Sequence, residues 1–296
     1  MEKMYEKVVK NKQGYYQLRE KPSREILEDT YINQCYQEHF GSYAKEYSAE
    51  EKRFFENQSK KKEYIIKRYI KKSQYSFLDI CCGEGFLLNY LFQTGQRDLL
   101  GIDLSGYGVR EQNPQISHLV KTGDCYKILD ELYNKKVVYD VINIDLALCS
   151  LYDPKLFIDK CRKIMTDTSI FIIKEANQYS DYRKSICEKG IVSDDAWISP
   201  HITNYFDKES LKELFEDNGY QCVGIWGDSF IDLNLLNSQT NYYKNKKCGK
   251  DCHTAEMELE EMAVSSSIDK WMDICSLMAD LGFGRCVVEV FKKVQK

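Results

Sequence analysis

The stretch that decides the fold reads Phe77-Leu78-Asp79-Ile80-Cys81-Cys82-Gly83-Glu84-Gly85-Phe86-Leu87-Leu88. An apolar run that carries an acid, Asp79, passes through a turn with two glycines one residue apart and enters a second apolar segment. Glycine permits backbone angles that other residues avoid and lets a ligand approach the main chain. Unpaired N–H groups at the start of a helix would face such a ligand. The stretch therefore predicts a buried strand, a ligand-binding turn and a helix.

A second acid supports a nucleoside-containing ligand. Asp103 ends the apolar run over residues 99–104, about 20 residues beyond the turn, where an acid is placed to accept hydrogen bonds from ribose hydroxyls. A dinucleotide fingerprint requires G-x-G-x-x-G, but Leu88 stands at the third glycine position. Asp79 would also repel a pyrophosphate, whereas it suits a ligand with an ammonium and a sulfonium group.

The rest of the chain shows three regions. Short apolar runs at 75–80, 99–104, 139–144 and 169–173 alternate with helical segments, which is typical of parallel strands joined by helical crossovers. We expect a helical N-terminal arm over 1–75 with a helix ending near Lys72, a core over 76–228, and a C-terminal insertion over 229–296. That insertion is predicted to hold a helix from about 252 to 281 and a last strand at 285–291. The predicted fold is α/β and doubly wound.

The composition narrows the function and the location. A net charge of -4 disfavours a nucleic-acid partner, which usually requires a basic excess. The lysine-rich run from Lys60 to Lys72 is interpreted as the solvated face of a helix. The 12 cysteines include many in apolar segments, and no secretory start is present, so reduced cysteines in a cytoplasmic protein are expected. No stretch approaches the roughly 18 apolar residues that cross a bilayer, so no membrane partner is expected.

The motifs resemble those of class I S-adenosylmethionine-dependent methyltransferases. Residues 78–85 resemble motif I, with Cys81 where a first glycine is usual, and Asp103 matches the ribose-binding acid of motif II. Residues 122–124 resemble the third-strand motif, whose acid contacts the adenine amino group, and residues 139–148 resemble motif IV. The resemblance implies a Rossmann-like seven-stranded sheet whose antiparallel last strand lies between strands 5 and 6. It also implies S-adenosylmethionine as cofactor and S-adenosylhomocysteine as product. The cofactor-binding residues it implies are Asp79, Cys81, Gly83, Gly85, Asp103, Leu104, Gly123, Asp124, Cys125 and Asp145.

Two of these acids have other interpretations. Asp103 could be an exposed turn residue, and Asp124 could cap a helix that starts at Cys125. Their joint occurrence at the expected strand ends and in the expected order favours the methyltransferase interpretation.

The flanks resemble methyltransferases of bacterial surface-glycan and natural-product clusters. Residues 15–23 are similar to an N-terminal arm of that subgroup, and residues 199–206 are similar to a stretch before the penultimate helix of small-molecule enzymes. The resemblance implies a helical N-terminal lid and a small acceptor, with a sugar or a nucleotide-sugar as the suggested class.

Methyl transfer requires alignment of the acceptor with the methyl group, and a hydroxyl or ammonium acceptor must also lose a proton. His201 and His253 are candidate bases because histidine titrates near neutral pH, with a structural hydrogen bond as the alternative. Glu175 is a third catalytic candidate; with Asn177 it follows strand 5, so both are predicted to face the acceptor pocket or a solvated loop. The candidate substrate-contacting residues are Tyr15, Tyr16, Tyr43, Tyr47, Asn177 and Tyr205.

The arm tyrosines among them could place aromatic rings near the sulfonium, or could simply pack between helices. No metal is expected, because Cys248, Cys252 and His253 supply too few ligands.

The predicted function is methyl transfer to an oxygen or nitrogen atom of a small metabolite. The alternatives are a nucleotide-binding oxidoreductase or epimerase, and a non-catalytic module that binds S-adenosylmethionine. Methylation of RNA or DNA amino groups is disfavoured, because residues 143–146 lack the [DN]-P-P-[YF] signature of those enzymes.

Overall fold

A computed structural model of the chain describes residues 6–38, 43–193, 195–199 and 202–294. The strands are β1 Val8–Lys10, β2 Tyr16–Leu18, β3 Phe77–Ile80, β4 Leu99–Asp103, β5 Val120–Thr122, β6 Tyr139–Asp145, β7 Met165–Ala176, β8 Asn204–Tyr205, β9 Tyr220–Asp228 and β10 Cys286–Lys293. The α-helices are α1 Arg24–Asn33, α2 Ala49–Tyr69, α3 Phe86–Gln93, α4 Tyr107–Gln112, α5 Cys125–Asn134, α6 Pro154–Lys163, α7 Asp181–Glu188, α8 Lys208–Glu216 and α9 Gly249–Asp280.

The main sheet has seven strands in the order β5-β4-β3-β6-β7-β10-β9. Strands β3 to β7 pair in parallel, whereas β10 runs antiparallel to both of its neighbours, β7 and β9. The apolar runs predicted as strands all lie in this sheet, and every residue of β3 is buried, as its continuous apolar sequence requires. The predicted doubly wound sheet with an antiparallel last strand between the fifth and sixth strands is confirmed.

Helices cover both faces of this sheet. On one face, helices α5, α6 and α8 pack against a cluster that includes Phe157, Phe215 and Phe291, and the last two rings stack with centroids 4.1 Å apart. On the other face, α2, α3 and α9 contribute Ile65, Leu88 and Trp271 to a second cluster. The parallel strands are therefore buried between two helical layers, and their carboxyl ends meet at one edge of the sheet.

The start of the arm differs from the helical prediction. Strands β1 and β2 form a hairpin, and β2 pairs with β8 to make a separate three-stranded sheet. The turn contains Gly14 at φ +92°, an angle that favours glycine. The hairpin escapes prediction because its strands have three residues each and because β2 pairs with a segment far along the chain. Helix α2 ends at Tyr69 rather than at Lys72, since Ile70 already has extended backbone angles.

The lysine-rich run is not uniformly solvated, which corrects the interpretation made from the sequence. Lys61 and Lys62 are each only 6% exposed, because this part of α2 packs against α9 and the sheet. Lys67, on the same helix, has a side chain 66% exposed. The run therefore has one solvated side and one buried side.

The C-terminal region packs onto the same core. Helix α9 bends at Ser267, whose backbone is extended (φ −167°, ψ 104°), and it contacts α2 and β9. The division of the chain into three regions at residues 75 and 228 stays a prediction. Helix α2 of the first region and helix α9 of the third contribute to the same apolar cluster. None of the helices in the described ranges combines the length and the apolar character needed to cross a membrane.

Candidate functional site

A cavity of about 370 Å³ lies at the carboxyl ends of β3, β4, β5 and β6. The opposite wall comes from the N-terminal arm, with Arg24, Leu27, Glu28 and Tyr31 on α1 and Phe55, Gln58, Ser59 and Lys62 on α2. Every predicted cofactor-binding residue lines this cavity: Asp79, Cys81, Gly83, Gly85, Asp103, Leu104, Gly123, Asp124, Cys125 and Asp145. Residues from four separate strand ends thus converge on one space, while their individual roles stay predictions.

The turn after β3 has the backbone that its glycines suggest. Gly83 and Gly85 have φ of +58° and +75°, and a Cβ on Gly85 would stand 2.9 Å from Ile116 and 3.0 Å from Val109. Cys81 also has a positive φ of +57°, a left-handed conformation that costs a residue with a Cβ roughly 1–2 kcal/mol. Strained backbone of this kind is concentrated at functional sites. The turn places the N-terminus of α3 at the cavity, and no side chain caps that N-terminus.

Asp103 is buried between this turn and the cavity, with 7% exposed, so it is not an exposed turn residue. Its two carboxylate oxygens accept hydrogen bonds from the backbone N–H groups of Gly83 and Ser105, each at 2.9 Å. Burial raises the pKa of Asp103 to about 6, although those hydrogen bonds lower it. Because each oxygen has a second lone pair, the carboxylate can still accept from hydroxyl groups of a ligand.

Asp79 lies at the end of β3 with 5% exposed. Its Oδ1 accepts a hydrogen bond from Asn143 Nδ2 at 2.7 Å. Burial raises the pKa of Asp79 to about 7, against the opposing effects of Asn143 and Lys62. Lys62 donates to Asn143 Oδ1 at 2.9 Å and to Asp145 Oδ1 at 2.5 Å. The sequence prediction missed Asn143, which is visible as a polar residue inside the apolar run of β6, and Lys62, which no local signal marks.

Asp124 holds two partners at the end of β5. Its Oδ1 accepts from the backbone N–H of Tyr126 at 2.8 Å, so it does cap α5, as the alternative interpretation held. Its Oδ2 accepts from Arg24 Nη2 at 2.5 Å, and Arg24 also donates to Glu28 at 2.5 Å. The same carboxylate therefore caps a helix, faces the cavity and anchors α1 of the arm.

Aromatic side chains form much of the remaining wall. Phe55 of the arm stacks on Phe86 with ring centroids 4.2 Å apart, and Tyr36 lies 4.5 Å from Tyr43. Tyr31 Oη lies 2.6 Å from Ser150 Oγ, which joins the arm to the segment after β6. Of the predicted substrate-contacting tyrosines, Tyr43 lines the cavity. The other aromatic residues named here were missed, because non-local packing brings them to the cavity.

Other predicted substrate-contacting tyrosines lie elsewhere. Tyr15 packs on Phe206, and Tyr16 and Tyr205 belong to the three-stranded sheet. Tyr47 is 7% exposed and its hydroxyl lies 2.9 Å from both carboxylate oxygens of Glu84. Glu84 itself lines the cavity, and burial raises its pKa to about 7. Tyr47 thus supports the wall from behind, and the hairpin keeps the other three tyrosines away from it.

The catalytic candidates are not brought to the cavity within the described residues. Glu175 is fully buried and accepts from the backbone N–H of Cys149 at 3.2 Å, and Asn177 accepts from that of Lys208, also at 3.2 Å. Neither lines the cavity, because both side chains are buried elsewhere in the protein. His253 lies on α9, 3.6 Å from Glu256 and beside Phe54. His201 lies outside the described residues. The catalytic roles of all three candidates stay predictions.

In the described ranges, no cluster of three or more His, Cys, Asp or Glu side chains could hold a metal ion. All twelve cysteines are free thiols, including the candidate ligands Cys248 and Cys252.

The family follows from a comparison of the whole sequence. A family model described as a methyltransferase domain matches residues 40–225, which is more than half of the chain. The chain belongs to this methyltransferase family, and it is a class I S-adenosylmethionine-dependent methyltransferase.

Several solved structures are similar to it. An S-adenosylmethionine-dependent methyltransferase from Archaeoglobus fulgidus has 20% identity and a TM-score of 0.49, with 80% of this chain and 94% of that chain covered. Magnesium protoporphyrin IX methyltransferase from Synechocystis PCC 6803, solved with bound S-adenosylhomocysteine, has 14% identity and a TM-score of 0.46, with 69% and 92% covered. At these values the likenesses do not identify the acceptor of this chain. No curated protein matches the sequence.

Proposed function

We propose that this methyltransferase transfers the methyl group to a nitrogen or oxygen atom of a small acceptor held between the N-terminal arm and the strand ends. The observation that carries the proposal is the convergence of all ten predicted cofactor-binding residues on one cavity. A cavity of about 370 Å³ that the arm partly covers suits a compact acceptor better than a macromolecule.

The cofactor end of the cavity fits S-adenosylmethionine by the chemistry of its side chains. We assign Asp103 to the ribose hydroxyls, Asp124 with Gly123 to the adenine, and Asp79 to the ammonium group. When bound, S-adenosylmethionine supplies a methyl group on a sulfonium, which is a good leaving group. The residues of the chain bind and orient the reactants, and the arm excludes water from them.

The acceptor end is formed by the segment after β6 and by the arm. Leu146 and Tyr152 line the cavity with 49% and 58% exposed, which makes an apolar mouth. Leu146 also has a positive φ of +52°, a second strained position at a strand end. The acceptor therefore enters past an apolar edge and meets Tyr31 and Ser150 inside.

The charges on the wall favour an acceptor without phosphate. The carboxylates that line the cavity are Glu28, Asp79, Glu84, Asp103, Asp124 and Asp145, and the cations among the described lining residues are Arg24 and Lys62. Both cations are already paired, Arg24 with Glu28 and Asp124, and Lys62 with Asp145. Among the charged side chains, a phosphate would thus meet acids and cations that are already paired, whereas an amine or an alcohol avoids that repulsion. We therefore favour an amine or alcohol over a nucleotide-sugar.

The experiment is a calorimetric titration with S-adenosylmethionine, S-adenosylhomocysteine and NAD. We expect the two sulfur nucleosides to bind and NAD not to bind. Asp103→Ala is expected to weaken binding roughly tenfold to a hundredfold, since hydrogen bonds to a charged group are worth about 1.5–3 kcal/mol. Asp98→Ala is the matched control, because Asp98 is exposed and precedes the opposite end of the same strand.

Circular dichroism and a thermal melt establish that each variant is folded. Binding of NAD, or of none of the three ligands, contradicts the proposal. An equal loss of affinity in Asp98→Ala contradicts the role given to Asp103.

A further inference from the structure

Lys62 connects the N-terminal arm to the centre of the site. It lies on α2 with only 6% exposed, and lysine is rarely buried unless its ammonium group is paired. The ammonium nitrogen donates to Asp145 Oδ1 at 2.5 Å and to Asn143 Oδ1 at 2.9 Å. Both partners belong to β6, so charge-assisted hydrogen bonds join the arm helix to the strand.

Asn143 carries this contact on to β3. Its oxygen accepts from Lys62, and its nitrogen donates to Asp79 Oδ1 at 2.7 Å. An ammonium group can only donate hydrogen bonds, so its neighbour must be the oxygen of the amide and not the nitrogen. Lys62 thereby determines that the nitrogen end of Asn143 faces Asp79. The three side chains form a continuous hydrogen-bonded series, the Lys62–Asn143–Asp79 chain.

The surroundings of Asp79 make this orientation consequential. Two other carboxylates, Asp145 and Asp103, raise its pKa in addition to burial, and Lys62 is the cation that lowers it. Burial lowers the pKa of Lys62, Asp145 raises it, and Lys174 on β7 lowers it further. A flipped amide would instead direct its oxygen at the carboxylate and repel it.

We propose that Lys62 is a positioning residue, which orients Asn143 and, through it, holds the carboxylate of Asp79 toward the ammonium group of the cofactor. The proposal rests on the proposed function, because it takes the ligand of Asp79 to be S-adenosylmethionine. Ile65 and Ile66 fix this part of α2 in the apolar core, so the contact between Lys62 and β6 is built into the fold.

The experiment is a titration with S-adenosylhomocysteine from pH 5.5 to pH 9. Lys62→Met is expected to weaken binding about tenfold at pH 7 and to move the pH at which affinity rises upward by about one unit, because Asp79 loses its nearby cation. Asp145→Asn removes a carboxylate that faces Asp79, so it is expected to move that pH downward. Lys67→Met is the matched control on the same helix, with a side chain 66% exposed, and it is expected to leave the profile unchanged.

A double-mutant cycle separates this role from a general loss of the arm. If Lys62 acts through Asp79, then Lys62→Met has no further effect on affinity when Asp79→Asn is already present. An undiminished loss in that background, or an unchanged pH profile in Lys62→Met, overturns the proposal. If Lys62→Met does not fold, Asn143→Leu interrupts the same chain and is expected to move the pH profile upward. Failure of the unaltered protein to bind S-adenosylhomocysteine at any pH refutes the proposed function instead.

Discussion

Asp228 lies at the centre of a buried group of charges that ties the arm to the sheet. The group, the Asp228 cluster, consists of Lys61 on α2, Lys174 on β7, Asp228 on β9 and Glu260 on α9. Lys61 Nζ is 2.5 Å from Asp228 Oδ1 and 2.6 Å from Glu260 Oε2, and Lys174 contacts Asp228 Oδ2. The two positive and two negative charges balance while the cluster is intact.

Asp228→Asn removes one negative charge and leaves a buried positive charge without compensation. Breaking a buried ion pair by removing one partner costs about 3–5 kcal/mol. Lys61 keeps Glu260, and Lys174 keeps a hydrogen bond to Gln58 Oε1 at 3.0 Å, so the lower end applies. We expect a loss of about 3 kcal/mol in the free energy of unfolding, which corresponds to a fall in Tm of about 6–12 °C.

The loss is expected to depend on pH. Burial alone raises the pKa of Asp228, but the ammonium groups of Lys174 and Lys61 outweigh burial and hold that pKa well below its usual range. A lowered pKa contributes stability that is full above the unfolded value of about 3.9, and this contribution falls progressively as the pH drops from there through the lower folded pKa. The difference between the unaltered protein and Asp228→Asn is therefore full at pH 7 and narrows toward pH 3.

The assay is urea unfolding of both proteins between pH 7 and pH 3, followed by circular dichroism. Asp273→Asn is the control, because Asp273 is an exposed acid on α9 and its change is expected to stay within about 0.5 kcal/mol. A loss below about 1 kcal/mol at pH 7 would refute the reasoning, as would a difference that stays constant in acid.

Glu289, on β10, is fully buried, and neither carboxylate oxygen has a hydrogen-bond partner among the residues that the structure describes. Burial raises its pKa well above the usual range, with Glu209 and Asp207 adding to the rise and Lys212 and Lys208 opposing it. Because the folded pKa of Glu289 is raised, the unaltered protein is most stable below the unfolded pKa of this group and loses stability as the pH rises. Glu289→Met removes that loss, so its free energy of unfolding is expected to exceed that of the unaltered protein by about 1–3 kcal/mol at pH 8 and by less at pH 5. Urea unfolding at both values checks this, and a destabilised variant contradicts it. The charge of the cavity wall predicts that UDP-glucose does not bind the protein saturated with S-adenosylhomocysteine; calorimetric binding with a Kd below roughly 1 mM contradicts that prediction.

The parts that could be predicted from sequence are those in which neighbouring residues carry the signal. The turn at Gly83 and Gly85, the acid Asp103 at the end of β4 and the run that forms β10 are local patterns, and the sheet and cavity contain them as expected. Parallel strands bring their carboxyl ends together at one edge of a sheet, so the ten predicted cofactor-binding residues meet at one cavity.

The parts that could not be predicted depend on partners far along the chain. Lys62 looks like any lysine of a solvated helix until β6 supplies Asn143 and Asp145. Tyr15 looked available to the site, but it packs on Phe206 once β2 pairs with β8. Burial of a polar or aromatic residue is decided by such tertiary contacts and not by its immediate neighbours.

The place of β10 between β7 and β9 constrains the order in which the molecule assembles. In the described sheet, β9 pairs with β10 and not with β7, so its hydrogen-bonded place in the sheet depends on a strand that lies later in the chain. Contacts between such distant segments form slowly, because a long loop must close first. Until then β7 presents an open edge, which is a template for aggregation. Because Asp228 lies on β9, the contact between Lys61 of the arm and Asp228 also depends on this late pairing.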